Sequence, residues 1–469
     1  MSRPQPFTRS FSAVAVLGGC LTMFGCGLTG GGPAVMMWGW ALTGAAVLLI
    51  GMSLAEVTSA GPTSGGLYFT AQRLGGPRWG WATGWLNLLG VIGGLAAIDY
   101  GAASFITALL ELERGVRTSP GTTLAVFAAV LGFHLLAHEF TGRGRGRFSR
   151  IAFWWQVLGI GAVVATLAVI PVHHQSAAFV FGYLSNGTGW SNPVHVSAVG
   201  LLLAGSTYCG FDTGAHVAEE TRNARLQAPR GIVRAVWASL LAGLAVTGSL
   251  LFAVQDYDAT TAAAVPAVQV FLDALGPTGA KLLLLAVVLA QLCCGSVQMS
   301  AAGRMIHTFS RDGSLPGSTR WRRLSPAGVP RAAGRLAAAG AFLLAVPLLW
   351  SRAGLGAIVA VNVIGMIPSC VIPVYLRLRM GDRFVPGPWS LGRAGRPVAL
   401  AAVVSGTALA ALSCLPQRHP VTLGTFNYAP VALTGVLVLA AVWWWVAGSK
   451  FSVPVVEDPQ LIRIESQIV

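Results

Sequence analysis

The sequence predicts an all-α polytopic membrane protein with twelve transmembrane helices. Three observations carry that reading: apolar runs of bilayer length recur along the chain, charge is scarce, and basic residues collect in alternate loops. Only 10% of the 469 residues are charged and 54% are hydrophobic, with a mean hydropathy of +0.67. A soluble chain usually carries about 25% charge, whereas a hydrocarbon core of roughly 30 Å needs about 20 apolar residues per helix.

The apolar runs place helices near 10–29, 33–56, 80–110, 120–139, 149–171 and 195–218, then near 231–254, 279–303, 333–351, 353–376, 396–415 and 428–448. The opening "MSRPQPFTRSFSAVAVLGGC" has the positive start and apolar run of a signal peptide, but the apolar pattern continues into further spans, so it reads as an uncleaved first helix. The 59 glycines, about twice the usual share, suit close helix packing in lipid.

Of the 31 Lys and Arg, all but Arg114, Arg117, Lys281, Arg352 and Arg418 fall in the N-terminus, the even-numbered loops or the C-terminus. The positive-inside rule therefore puts both termini in the cytoplasm. The net charge of +15 is thus topological and excludes nucleic acid as the partner; even the Arg143, Arg145, Arg147 run is an anchor between two spans. The seven cysteines (Cys20, Cys26, Cys209, Cys293, Cys294, Cys370, Cys414) form no CxxC pair or disulfide framework, and they read as small packing residues. The Asn186-Gly187-Thr188 sequon is assigned no role.

The sixth run is interrupted by "LAGSTYCGFDTG". A charge such as Asp212 at mid-bilayer costs at least about 2.5 kcal/mol. Gly210 and Gly214 weaken the helix there, and Ser206, Thr207, Tyr208 and Thr213 supply hydrogen-bonding groups. Non-helical backbone survives at this depth only when buried in protein or lining a wet cavity. The first run has a matching weakness at Gly18-Gly19-Cys20. Interrupted segments at corresponding places in two halves point to a secondary transporter with an inverted repeat. Its half-helix N-termini can hold a carboxylate, and Asp212 is the candidate for the ammonium end or for a coupling ion. The competing reading of Asp212 is a buried carboxylate bonded to a neighbouring hydroxyl.

Asp99 in the third span is the second candidate for coupling, as a proton carrier; a polar contact between helices is the alternative. Glu56 and Glu139 sit near cytoplasmic helix ends and read as solvated or loop-bonded. His134 and His138 share a helix face but lack a third ligand, so packing or interface roles are read for them and no metal is expected.

Three stretches, "GMSLAEVTSAGPTSGGLYFTAQRLGGPRWGWATGW", "GFDTGAHVAEETRNARLQAPRGIV" and "SAAGRMIHTFSRDGSLPGS", resemble the amino acid–polyamine–organocation superfamily, in particular its amino acid/choline branch with the GABA permeases. The resemblance runs in order through nearly the whole chain. It implies a LeuT-like five-plus-five inverted repeat with discontinuous first and sixth helices: a cytoplasmic tail 1–9, a first repeat 10–171, a second repeat 195–380, two further helices in 394–449 and a cytoplasmic tail 450–469. By position it implies a substrate site from Gly18, Gly19 and Cys20 (where Cys20 departs from a Gly-small-Gly pattern) and from Tyr208, Cys209, Gly210, Phe211 and Asp212, with Asn87, Gly90 and Gln298 lining the cavity. Gly65, Gly66, Glu219 and Glu220 match cytoplasmic motifs of structural or gating type. Some relatives couple to protons through a lysine in the fifth helix; this chain has only Lys281 and Lys450, neither there. No cofactor is implied, and H+ or Na+ remains as the coupling ion.

The function read from these features is a secondary transporter for a small amine-bearing solute, an amino acid or GABA, in the plasma membrane, acting as a monomer or weak oligomer. A choline or polyamine transporter of the same fold is the alternative. From other classes, an integral-membrane enzyme lacks any GxSxG, HExxH or CxxC, and a channel is disfavoured by two matching helix breaks.

Overall fold

The computed structural model describes residues 6–61, 66–140, 145–216, 223–351, 353–448 and 451. Helix dominates. The first span is two helices, α1 (Pro6–Val14) and α2 (Val16–Thr29), followed by α3 (Gly32–Ala60), a short α4 (Gly66–Gly75), α5 (Pro77–Arg114), α6 (Pro120–Phe140) and α7 (Arg145–Val169). Outside the spans lies α8 (Ala177–Gly182). The sixth span is broken into α9 (Pro193–Gly200), α10 (Leu202–Thr207) and α11 (Thr213–His216). The chain continues through α12 (Ala224–Phe252), α13 (Tyr257–Ala262), α14 (Pro266–Arg311), α15 (Ser318–Trp321), α16 (Arg331–Ala345), α17 (Gly354–Met380), α18 (Gly395–Ser413) and α19 (Ala429–Ala447).

Among the described residues eleven helices are long and apolar enough to cross a membrane, counting α1 and α2 together. The sixth run is the exception, because its break leaves only Pro193–Thr207 as a shorter apolar helix.

Local chemistry sets the ends. Pro33, Pro77, Pro193 and Pro266 stand in first turns, where the missing N–H is no loss. Asn192 accepts from Val194 N at 2.9 Å and caps α9. Gly115, with φ 65°, ends α5. Within α14 the pair Gly276 (φ 70°) and Pro277 breaks the helix, so the long apolar stretch of the eighth span begins there.

The bundle is layered. In the most apolar stretch, 83% of the span containing α17 is buried in protein, against 11% of α19, so α17 is interior and α19 faces lipid. Spans one and three (α1–α2 and α5) are also mostly interior, and α5 packs along both α14 and α17. Gly90 of α5 and Gly365 of α17 carry that contact: a Cβ on Gly90 would stand 2.6 Å from Met366 N.

On the Arg-rich face, Glu56 is loop-bonded, one of its two expected states, and buried rather than solvated. It forms a buried ion pair with Arg377 Nη2 at 2.8 Å and accepts from Leu391 N at 3.1 Å. Glu139 accepts two bonds from Arg335, at 2.7 and 3.2 Å. Tyr68 of α4 donates to Asp312 at 2.7 Å, tying α4 to the end of α14. Burial, then the Asp312 carboxylate, pushes the Tyr68 phenol well above its ordinary range, so it stays a donor. On the opposite face Gly30–Gly31 pairs antiparallel with Ser185–Asn186.

Candidate functional site

The first-span break is at Ala15, not at Gly18-Gly19-Cys20. Ala15 is left-handed (φ 50°, ψ 44°), and Gly19 N already donates to Ala15 O at 2.9 Å, so all three predicted break residues are helical in the opening turns of α2. The two glycines serve close approach instead. A Cβ on Gly19 would lie 2.5 Å from Thr207 Cγ2, and one on Gly18 would collide with the Gln291 amide.

The sixth-span break, residues 208–212, sits directly against the first. Gly210 has φ 112°, and a Cβ there would be 2.8 Å from Ala13 O, so both its conformation and its neighbour demand glycine. Ser10 Oγ donates to Phe211 O at 3.0 Å and ties α1 to the second break.

Between the breaks lies a cavity of ≈ 50 Å³. Its wall comes from residues 13–15, 18, 19, 22 and 23 of the first span and 206, 207, 209 and 210 of the sixth, with Gly94, Ala97 and Ile98 of α5, Gln291 and Gln298 of α14, and Val359, Asn362 and Met366 of α17. Among the described residues, no acidic or basic side chain is in that wall. Polarity comes from amides and hydroxyls: Asn362 Nδ2 reaches Ser206 O at 3.5 Å, Gln298 Nε2 donates to Val91 O at 3.3 Å, and Gln291 Nε2 donates to Thr22 Oγ1 at 3.2 Å. It comes also from backbone. The first N–H groups of α2 have no intrahelical acceptor and the last carbonyls of α1 no intrahelical donor, while at the end of α10 Ser206 O also accepts from Cys209 N at 3.1 Å. A positive helix end and two negative ones therefore converge on one space.

A larger vestibule of ≈ 230 Å³ on the opposite side from the Arg-rich face is lined partly by Ser104, Thr188, Gln417 and Arg418. Thr22 lines both spaces, so the Gln291–Thr22 bond stands between them.

Five of the predicted site residues meet in the cavity wall: Gly18, Gly19, Cys209, Gly210 and Gln298. The others lie elsewhere. Cys20 is buried, with its thiol on the side of Thr247 of α12. Asn87 Nδ2 donates to Ser369 Oγ at 3.3 Å, a contact between α5 and α17, and Gly90 is the packing glycine described above. Tyr208 turns toward α3, its ring centroid 4.9 Å from that of Trp40. Phe211 is fully buried. Asp212 is 1% exposed and outside the wall, with the Cys209 and Cys370 thiols within its field. Gly66 starts α4, while Gly65, Glu219 and Glu220 lie outside the described residues.

Sequence reasoning missed Thr22, Gln291 and Asn362. Gln291 had a signal, since it stands two helical turns before Gln298 on one face. Asn362 is the one amide in the apolar run "AIVAVNVIGMIPSC". Asp99 and His134, read separately, form a buried pair: His134 Nδ1 lies 2.9 and 3.0 Å from the two Asp99 oxygens. No cluster of three His, Cys, Asp or Glu suited to a metal exists among the described residues.

Broken spans meeting at a small uncharged cavity inside a bundle of apolar helices define a polytopic membrane carrier. Residues 6–439 match the family model described as amino acid permease, and the chain belongs to that family. It is 31% identical to Amino-acid permease BAT1 of Arabidopsis thaliana over 461 residues, covering 93% of this chain and 89% of the relative. It is 33% identical to the BAT1 homolog of Oryza sativa subsp. japonica, with the same coverage. Against the GABA-specific permease of Saccharomyces cerevisiae identity is 28%, over 95% of this chain and 81% of that one.

Proposed function

We propose that the protein is a secondary transporter that moves a small zwitterion, an amino acid or γ-aminobutyrate, by alternating access across the plasma membrane. The carrying observation is the uncharged cavity wall between opposed helix ends. A zwitterion fits such a wall: its carboxylate meets the α2 N–H groups, and its ammonium meets the terminal carbonyls of α1 and α10. A polyamine or choline would call for carboxylates or an aromatic cage, and among the described residues the wall has neither an acidic nor an aromatic side chain. The likeness to a GABA-specific permease supports γ-aminobutyrate as one candidate.

Alternation needs a barrier on each side of the cavity. The Gln291–Thr22 bond is suited to the vestibule side, and the contact of α1 with the second break through Ser10 and Phe211 to the Arg-rich side. The five-plus-five repeat supplies the rigid units for such rocking, and the Arg-rich face is the cytoplasmic one.

Counterflow in proteoliposomes tests this reading. Liposomes preloaded with each protein amino acid, γ-aminobutyrate, choline or spermidine are diluted into trace radiolabel of the same solute. Saturable exchange of at least one amino acid or γ-aminobutyrate is expected. Exchange of choline or spermidine alone would overturn the substrate class, and no exchange across the panel would overturn the carrier itself.

A further inference from the structure

The Asp99–His134 pair lies in the middle of spans three and four with both side chains at 0% exposure. Its hydrogen-bond geometry counts protons. His134 Nε2 is 2.9 Å from Leu292 O of α14. A carbonyl oxygen only accepts, so Nε2 carries a hydrogen. The other ring nitrogen, Nδ1, faces both oxygens of Asp99, and that contact is attractive only with a proton in it. Two arrangements meet the requirement: imidazolium against carboxylate, or neutral imidazole accepting from a protonated Asp99. Both hold the same number of protons. Removing one leaves a carboxylate at 0% exposure facing a nitrogen lone pair.

The surroundings leave the pair to itself. His134 is the titratable side chain that faces Asp99 among the described residues. The titratable side chains on neighbouring elements are His138 one turn along α6, with Nδ1 3.5 Å from Ser300 Oγ; Cys294 of α14, whose thiol donates to Gln156 Oε1 of α7 at 2.9 Å; and Tyr100 of α5, its ring tilted against that of Phe127. None of these is a carboxylate or a fixed cation. α2, α16 and α17 also pack on α5, and their arginines Arg331, Arg335, Arg377 and Arg379 lie in end turns.

The pair is also joined to the cavity on two sides. Asp99 follows Ile98, a wall residue of α5, and Leu292 follows Gln291, a wall residue of α14. Gly295 completes the fit, because a Cβ there would strike both the His134 ring and Asp99 Oδ1. Any shift of α5 against α14 on substrate binding or release alters the Leu292–His134–Asp99 chain, and with it the affinity for the shared proton.

We propose that Asp99 and His134 together form a proton-binding site that couples solute movement to a proton gradient. The site loads one proton from water, keeps it while the chain of bonds is closed, and returns it to water on the other side when α5 and α14 separate. This rests on the transporter reading above.

Three measurements on full-length protein in liposomes test it, using whichever panel solute the wild type exchanges. Wild type is expected to accumulate label when the interior is alkaline and to carry protons with the solute, read by entrapped pyranine. Asp99→Asn and His134→Gln are each expected to keep counterflow within about threefold of wild type while accumulation under the pH gradient falls at least tenfold. Accumulation by both variants at the wild-type level would overturn the proposal. So would wild-type exchange with no proton movement, which leaves the transporter reading intact and covers the case in which a variant does not fold. No exchange of any panel solute removes the transporter reading and the proposal together.

Discussion

Gly19 and Asp212 show how far a side chain's surroundings decide its part. At Gly19 there is no room: a Cβ would sit 2.5 Å from Thr207 Cγ2 and 2.6 Å from its Oγ1. Valine there pushes Thr207 into the cavity while leaving the lipid-facing surface unchanged. Gly19→Val is therefore expected to insert and purify normally and to lose at least about tenfold in exchange affinity, the equivalent of about 1.4 kcal/mol. Normal exchange would remove Gly19 from the site. Asp212 is the opposite case, since its carboxylate is buried beside the cavity and not in its wall. Asp212→Asn alters a buried polar group, worth on the order of 1–3 kcal/mol. A lower thermal midpoint is expected, with binding in the folded fraction changed less than about threefold; a tenfold loss of affinity at unchanged midpoint would return Asp212 to the substrate.

Among elements, the two breaks were legible unequally. The sixth announced itself, because a mid-span aspartate and two glycines have no other economical explanation in lipid. The first was misplaced by a few residues, because Gly18 and Gly19 look like helix breakers and Ala15 does not. Here glycine provides space and alanine provides the turn, a division no composition rule reveals. The left-handed conformation costs a non-glycine residue roughly 1–2 kcal/mol, while Ala→Gly costs about 0.4–1 kcal/mol through the unfolded chain. Ala15→Gly is thus expected to be neutral to about 1 kcal/mol stabilising by thermal unfolding in detergent. Destabilisation by more than about 1 kcal/mol would place the break elsewhere. The ion pair Glu56–Arg377 was invisible for a related reason: its partners are 321 positions apart, and only the packing of α3 on α17 and α18 joins them.

At the scale of the whole molecule, hydropathy and the distribution of Arg carried most of the information, since a bilayer imposes span length and orientation directly. The cavity was less legible because its wall is assembled from five spans, and its polar groups are single amides in otherwise apolar runs. Orientation itself is open to a direct test. The turn after α14 is rich in arginine, with Arg320, Arg322 and Arg323 in a short stretch, and Ala327 is exposed beside them. On the other face Val172 is 98% exposed and Leu423 82% exposed. Single cysteines at these places, in a background lacking the seven native ones, report sidedness through a membrane-impermeant maleimide. Val172→Cys and Leu423→Cys are expected to label in intact cells, and Ala327→Cys only after permeabilisation. The reverse pattern would put the Arg-rich face outside. It would also assign the 230 Å³ vestibule and the Gln291–Thr22 barrier to the cytoplasmic side, so that release rather than capture of the solute would pass through them.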